Sequence, residues 1–128
     1  MGELFTLYGA TDGSNTTGTF DLNGDLLQAA VNYVRIPKGM KAKIWCKLVS
    51  GAPVDVSIQY THDVTVTSPT YITITTESLA NAGEESIEKR RPIVLRGFTG
   101  KEAFKTTWSQ SSAAKSYVQI EVELTEDL

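Results

Sequence analysis

The chain predicts an all-β fold, an antiparallel β-sandwich of jelly-roll-like type with about eight strands. Three observations carry that prediction. Three stretches alternate apolar and polar residues with period two, the mark of a strand with one buried and one wet face. Thr and Ser are abundant, 16 and 10 of 128 residues, and the branched Cβ of Thr favours extended backbone. Turn-forming clusters ("DGSN", "NG", "PKG", "SGAP", "TSP", "TG") recur roughly every 10–15 residues, with no long helical pattern between them. A parallel sheet is excluded, because its crossovers need helices for which there is no room.

The elements follow in order. "ELFTLYG" (3–9) and "GTFDL" (18–22) carry the aromatic and β-branched residues of strands. "DLNGDLL" (21–27) reads as a hairpin turn through Asn23-Gly24, since both residues adopt positive φ at low cost. A calcium loop of the helix–loop–helix type does not fit there, because the positions that need Gly and Glu hold Leu26 and Asn32. "GDLLQAAVN" (24–32) places Leu26, Leu27 and Ala30 at helical spacing, one of two stretches that do so. "VNYVRI" (31–36) returns to strand composition.

"KAKIWCKL" (41–48) sets Ala42, Ile44, Cys46 and Leu48 against Lys41, Lys43, Trp45 and Lys47. "VDVSIQYTHD" (54–63) sets Val54, Val56, Ile58, Tyr60 and His62 against five polar residues. "TYITIT" (70–75) is a further strand. The segment 77–91 is the longest interruption, with room for one helical turn broken by Gly83. "PIVLRGF" (92–98) and "AFKTTWS" (103–109) are strands. "SYVQIEVELTED" (116–127) repeats the clean alternation, with Val118, Ile120, Val122 and Leu124 on one face. The predicted core comprises Ile44, Leu48, Val56, Ile58, Ile93, Leu95, Ile120 and Val122.

A chain of 128 residues suits one domain spanning 1–128. Its single cysteine, Cys46, cannot support an intrachain disulfide framework, and its place in a strand predicts a buried thiol. No apolar run reaches the ~20 residues that a spanning helix needs. The first residues lack a basic region followed by an apolar core, so no signal peptide is expected.

Motifs for catalysis are missing. His62 beside Asp63 lacks a nucleophile at a strained turn, so a hydrolase triad is not supported. One His and one Cys are too few for zinc, and "GFTG" (97–100) lacks the lysine and helix of a phosphate loop. His62 is expected to cap the packed strand face, its ring partly wet. No catalytic residue, metal or cofactor is predicted.

Charge is patterned rather than large. The net charge is −3 and the pI about 5.1, so nucleic acid is not an expected partner. Arg35, Lys38, Lys41, Lys43 and Lys47 form a basic stretch, and Glu121, Glu123, Glu126 and Asp127 an acidic one. The two faces are expected to meet, within one subunit or between subunits. Trp45, between lysines on the polar face of its strand, and Trp108 are the candidate binding aromatics, unless a second sheet or a loop covers them. Interface or ligand candidates are therefore Trp45, Trp108, Lys43, Lys47, Glu121 and Glu123.

At the level of architecture the chain resembles small viral capsid and decoration domains, and also carbohydrate-binding sandwiches. The first resemblance implies a non-catalytic assembly protein: a virus or phage shell, decoration or tail component. It would be made in the host cytoplasm, carried in the virion, and partnered by itself, as a dimer or trimer, and by other shell proteins. The alternative is a carbohydrate-binding module using exposed Trp. A small barrel-type enzyme is opposed by the missing constellation.

Overall fold

The computed structural model describes residues 3–24, 32–83 and 93–127. Every regular element in these residues is a strand. They are β1 (Glu3–Ala10), β2 (Thr17–Thr19), β3 (Asn23–Gly24), β4 (Val34–Arg35), β5 (Met40–Gly51), β6 (Val54–Thr61), β7 (Ile72–Leu79), β8 (Ile93–Arg96), β9 (Ala103–Ser109) and β10 (Ser116–Glu126). Two antiparallel sheets result. The first runs β3-β1-β10-β5-β8, and the second runs β2-β9-β6-β7, with β4 also on β9.

Setting aside β3, the strands occupy eight positions. β2 and β4 share one: β2 pairs Thr17–Thr19 with the C-terminal half of β9, and β4 pairs Val34 and Arg35 with its start. The chain then visits the sheets as first, second, first, second, second, first, second, first. With β1-β10-β5-β8 facing β2/β4-β9-β6-β7, this is the double-sheet jelly roll that the strand spacing predicted.

The period-two stretches supply the core. Leu7, Ile120 and Cys46 lie in one register row across the first sheet. Val56 with Trp108, and Tyr60 with Phe104, lie opposite each other across the second. All of these are buried between the sheets, as are Ile44, Leu48, Ile58, Leu95 and Val122. Removing such aliphatic and aromatic side chains from water stabilises by ~1.5–3 kcal/mol each. Ile93, expected in the core, is only half-buried, because β8 is the edge of its sheet.

Two turn expectations are corrected. Asn23-Gly24 is not a hairpin turn but a short strand added to β1, with Asn23 opposite Tyr8 and Gly24 opposite Leu7. Glycine is required there for another reason. Its φ is 133°, and a Cβ would stand 2.5 Å from the Thr6 carbonyl oxygen. The expected interruption at 77–91 begins later, because residues 77–79 complete β7. Most of the predicted helical stretch 24–32 and most of the predicted turn within 77–91 lie outside the described residues.

Two buried hydroxyls are tied to backbone, while that of Thr106 has no hydrogen-bond partner among the described residues. Thr11 and Ser116 are fully buried. Thr11 Oγ1 donates to the Ala114 carbonyl at 2.7 Å and accepts from Ser116 N at 2.7 Å. Ser116 Oγ donates to the Ala52 carbonyl at 2.6 Å. These bonds offset the cost of taking two hydroxyls out of water.

Candidate functional site

The predicted charged residues do come together, but inside the chain. β5 and β10 are neighbours in register, so Lys43 faces Glu123, Trp45 faces Glu121 and Lys47 faces Gln119. Lys43 Nζ lies 3.7 Å from Glu123 Oε1 with both side chains partly exposed, a pair worth at most ~1 kcal/mol. Gln119 Nε2 donates to Glu121 Oε1 at 2.6 Å. The basic and acidic strands thus match across one sheet face, and Lys43 and Glu123 already pair with each other.

The two tryptophans part company. Trp108, a candidate binding aromatic unless covered, is 4 % exposed and belongs to the core. It shares the inner face of β9 with buried Phe104 and Thr106, and its ring centroid is 6.4 Å from that of Phe20. Its indole lies over Gly18, where a Cβ would stand 2.5 Å from the ring. The facing sheet covers it, so it offers nothing to a ligand. Trp45 stays on the outer face and is half-buried; its Nε1 is shielded from solvent and has no hydrogen-bond partner among the described residues. His62 stands exposed one residue past β6, its ring edge-on to Tyr60 at 5.2 Å, at the end of the packed face as expected.

Exposed apolar side chains instead gather in two places that sequence patterning did not single out. The first is the side of the sandwich that is open among the described residues, where β7 and β8 are the edges of different sheets. Ile72 and Ile74 of β7, with Val94 and Phe98 on the β8 side, line a groove of about 270 Å³. It adjoins a second groove of about 300 Å³ that reaches Val66. Phe98 is 64 % exposed and Ile72 53 %, far more than single core residues at a sheet end.

Hydrogen bonds organise this side. Tyr60 Oη donates to the Arg96 carbonyl at 2.9 Å, tying the two sheets; burial pushes the Tyr60 phenol pKa up. Glu102 is 2 % exposed. Its carboxylate accepts the backbone N–H groups of Phe98, Thr99 and Gly100 at 3.0–3.1 Å, and the Thr99 hydroxyl at 3.1 Å. Burial alone raises the Glu102 pKa, but donors from Thr99, from its own backbone and from Phe98 outweigh it, and the net shift is downward. The turn that holds Phe98 in water is therefore fixed by a buried carboxylate. The signal was present in "GFTGKE", whose Glu follows a Thr-Gly turn, but its side chain's direction was not readable.

The second gathering is a cleft of about 560 Å³ on the outer face of the first sheet, beside Tyr8, Val49 and Tyr117. Asp21, Asn23 and Ser50 supply its polar lining.

No protein-family model matches the chain, and no curated protein matches it. Among solved structures it is similar to a chain from Bacillus endospore appendages, described as a family of disulfide-linked pili. Identity is 12 % and the TM-score 0.48, over 99 % of this chain and 88 % of the other. It is also similar to the CBM22-1 and GH10 modules of Clostridium thermocellum endo-1,4-β-D-xylanase 10B, complexed with xylohexaose. There identity is 12 % and the TM-score 0.44, over 96 % of this chain and 25 % of the other. Both likenesses concern fold and nothing finer.

Proposed function

We propose that this protein is a non-catalytic structural component that assembles with copies of itself through the open β7/β8 side of the sandwich. The observation that carries the reading is the exposed apolar groove beside the β7 edge, lined by Ile72, Ile74 and Phe98. Among the described residues β7 is hydrogen-bonded to β6 alone. Sheet edges are normally protected by Lys, Pro or inward charges. Ile72–Leu79, "ITITTESL", has no Lys, Arg or Pro; Glu77, opposite buried Val56, is an inward charge that guards its C-terminal half, while Ile72 and Ile74 stay exposed. A bulge at Ile74, where Ile58 pairs with Thr75 and Gln59 with Thr73, interrupts the ladder, so the contact is made by the apolar side chains of Ile72 and Ile74 and not by a continuous added strand. Two copies related by a twofold axis present the same strand and the same apolar groove to each other, the self-complementary form of a closed dimer.

The finer reading is a virus or phage virion component: shell, decoration or tail, made in the host cytoplasm. Its support is architectural, since double-sheet jelly rolls recur in capsid proteins. Portal, capsid and terminase genes beside the coding region would support it, and their absence would count against it.

Sedimentation velocity at micromolar concentration tests the association. The parent protein is expected to sediment as an oligomer. The double variant Ile72→Lys, Ile74→Lys is expected to sediment as a monomer with an unchanged melting temperature. A monomeric parent, or a double variant that still assembles, overturns the reading.

A further inference from the structure

We propose that the cleft on the outer face of the first sheet binds a neutral glycan chain. The argument starts from register. Tyr8 pairs with Gln119 and Ala10 with Tyr117, so the two tyrosines are diagonal neighbours across the β1–β10 ladder. Such positions are ~7–8 Å apart, within reach of aromatic side chains. Both rings are open to solvent, Tyr8 49 % and Tyr117 48 % exposed. Gly9 and Ala10 also line the cleft and put no bulk between the rings.

Each ring has a hydrogen-bonding neighbour directly across the sheet. Asn23 of β3 lies opposite Tyr8, and Ser50 of β5 lies opposite Tyr117. Residues directly opposite in a ladder point to the same side, and both polar residues line the cleft. The surface thus repeats one unit twice: a flat apolar ring with a hydrogen-bonding side chain at its edge. A chain of pyranose units presents the complement, a C–H face to stack on the ring and a rim of hydroxyls for the amide and hydroxyl. Tyrosine serves this role because its body is apolar while its hydroxyl stays wet.

The lining also selects against other ligands. Among the described residues it contains Asp21 and no Lys or Arg, which disfavours phosphate, sulfate and acidic sugars. Lys115 Nζ stands 5.9 Å from the Tyr117 ring centroid but does not line the cleft. A purely apolar segment would leave the Asp21 carboxylate, the Asn23 amide and the Ser50 hydroxyl without partners, a costly arrangement for a covered site. The site lies on the first sheet, away from the β7 edge, and does not depend on the association proposed above.

Affinity electrophoresis of the full chain tests it, in gels cast with hydroxyethylcellulose, xylan, galactomannan, soluble starch or, as the acidic comparison, polygalacturonate. Retardation in at least one neutral gel is expected. Tyr8→Ala and Tyr117→Ala should each weaken it tenfold or more, Tyr8→Phe should retain it, and all three should melt like the parent. Retardation in no neutral gel overturns the proposal, as does binding only to polygalacturonate. Binding that both alanine variants preserve overturns it equally.

Discussion

Trp108 and Gly18 show how much a single position decides. The alternation in "AFKTTWS" sets Phe104, Thr106 and Trp108 on one face, and that much is legible from the residues. Whether the face is bare or covered is decided by a second sheet formed from distant segments, so the residues alone left Trp108 open between a surface and a core aromatic. Gly18 is the complementary element, since the indole occupies the space its Cβ would take. Gly18→Ala should therefore destabilise by ~1–3 kcal/mol through overpacking. At the centre of the first sheet, Ile120→Ala should cost ~2–5 kcal/mol through lost burial and a cavity. Chemical denaturation of both variants checks this; an Ile120→Ala midpoint equal to the parent's would contradict the face assignment of β10. Trp45 was placed on the outer face correctly, but the shielding of its Nε1 was not readable, because it depends on neighbours across the ladder.

At the scale of elements, the long strands were legible and the short ones were not. β5, β6 and β10 announce themselves by period two. β3 did not, because "NG" is the commonest hairpin signal, and only the close approach of β1 shows why the glycine is there. The Phe98–Gly100 turn carries a prediction in pH. The Glu102 pKa is lowered in the folded protein from its ordinary value of 4.5. An unfolded chain therefore binds the proton more readily than the folded one. The stability this group supplies is complete above that ordinary value and is lost as pH falls through the folded pKa. Glu102→Gln should be less stable than the parent at neutral pH, by ~1–3 kcal/mol, and melt lower, since a single amide oxygen replaces two acceptors. The gap should narrow as pH falls below about 4.5, the ordinary glutamate value. Parallel melting curves for the two proteins across that range would show that Glu102 does not hold the turn as a carboxylate.

For the whole molecule, the jelly-roll class followed from strand count and spacing, but the pairing order did not. That order is what brought the basic and acidic strands side by side, so Lys43 and Glu123 meet within one sheet. The proposed association rests on apolar contact, and the oligomer should persist in sedimentation runs at high salt, where exposed charges are screened. Dissociation on adding salt would return the interface to the charged strands. The place of β10 has a kinetic consequence. It is the last strand in chain order, yet it lies between β1 and β5 at the middle of its sheet. The bond from Ser116 to Thr11 spans 105 residues. During synthesis, β1 and β5 must wait until residues 116–126 are made before either gains this hydrogen-bonding neighbour. Loop closure over such distances comes before any reward from pairing, which places folding in the slow, high-contact-order regime of milliseconds to seconds, not microseconds. Through that interval two long strands are open on the side β10 will fill, and a holding chaperone or a rapid ribosomal exit is what would keep neighbouring nascent chains from pairing there first.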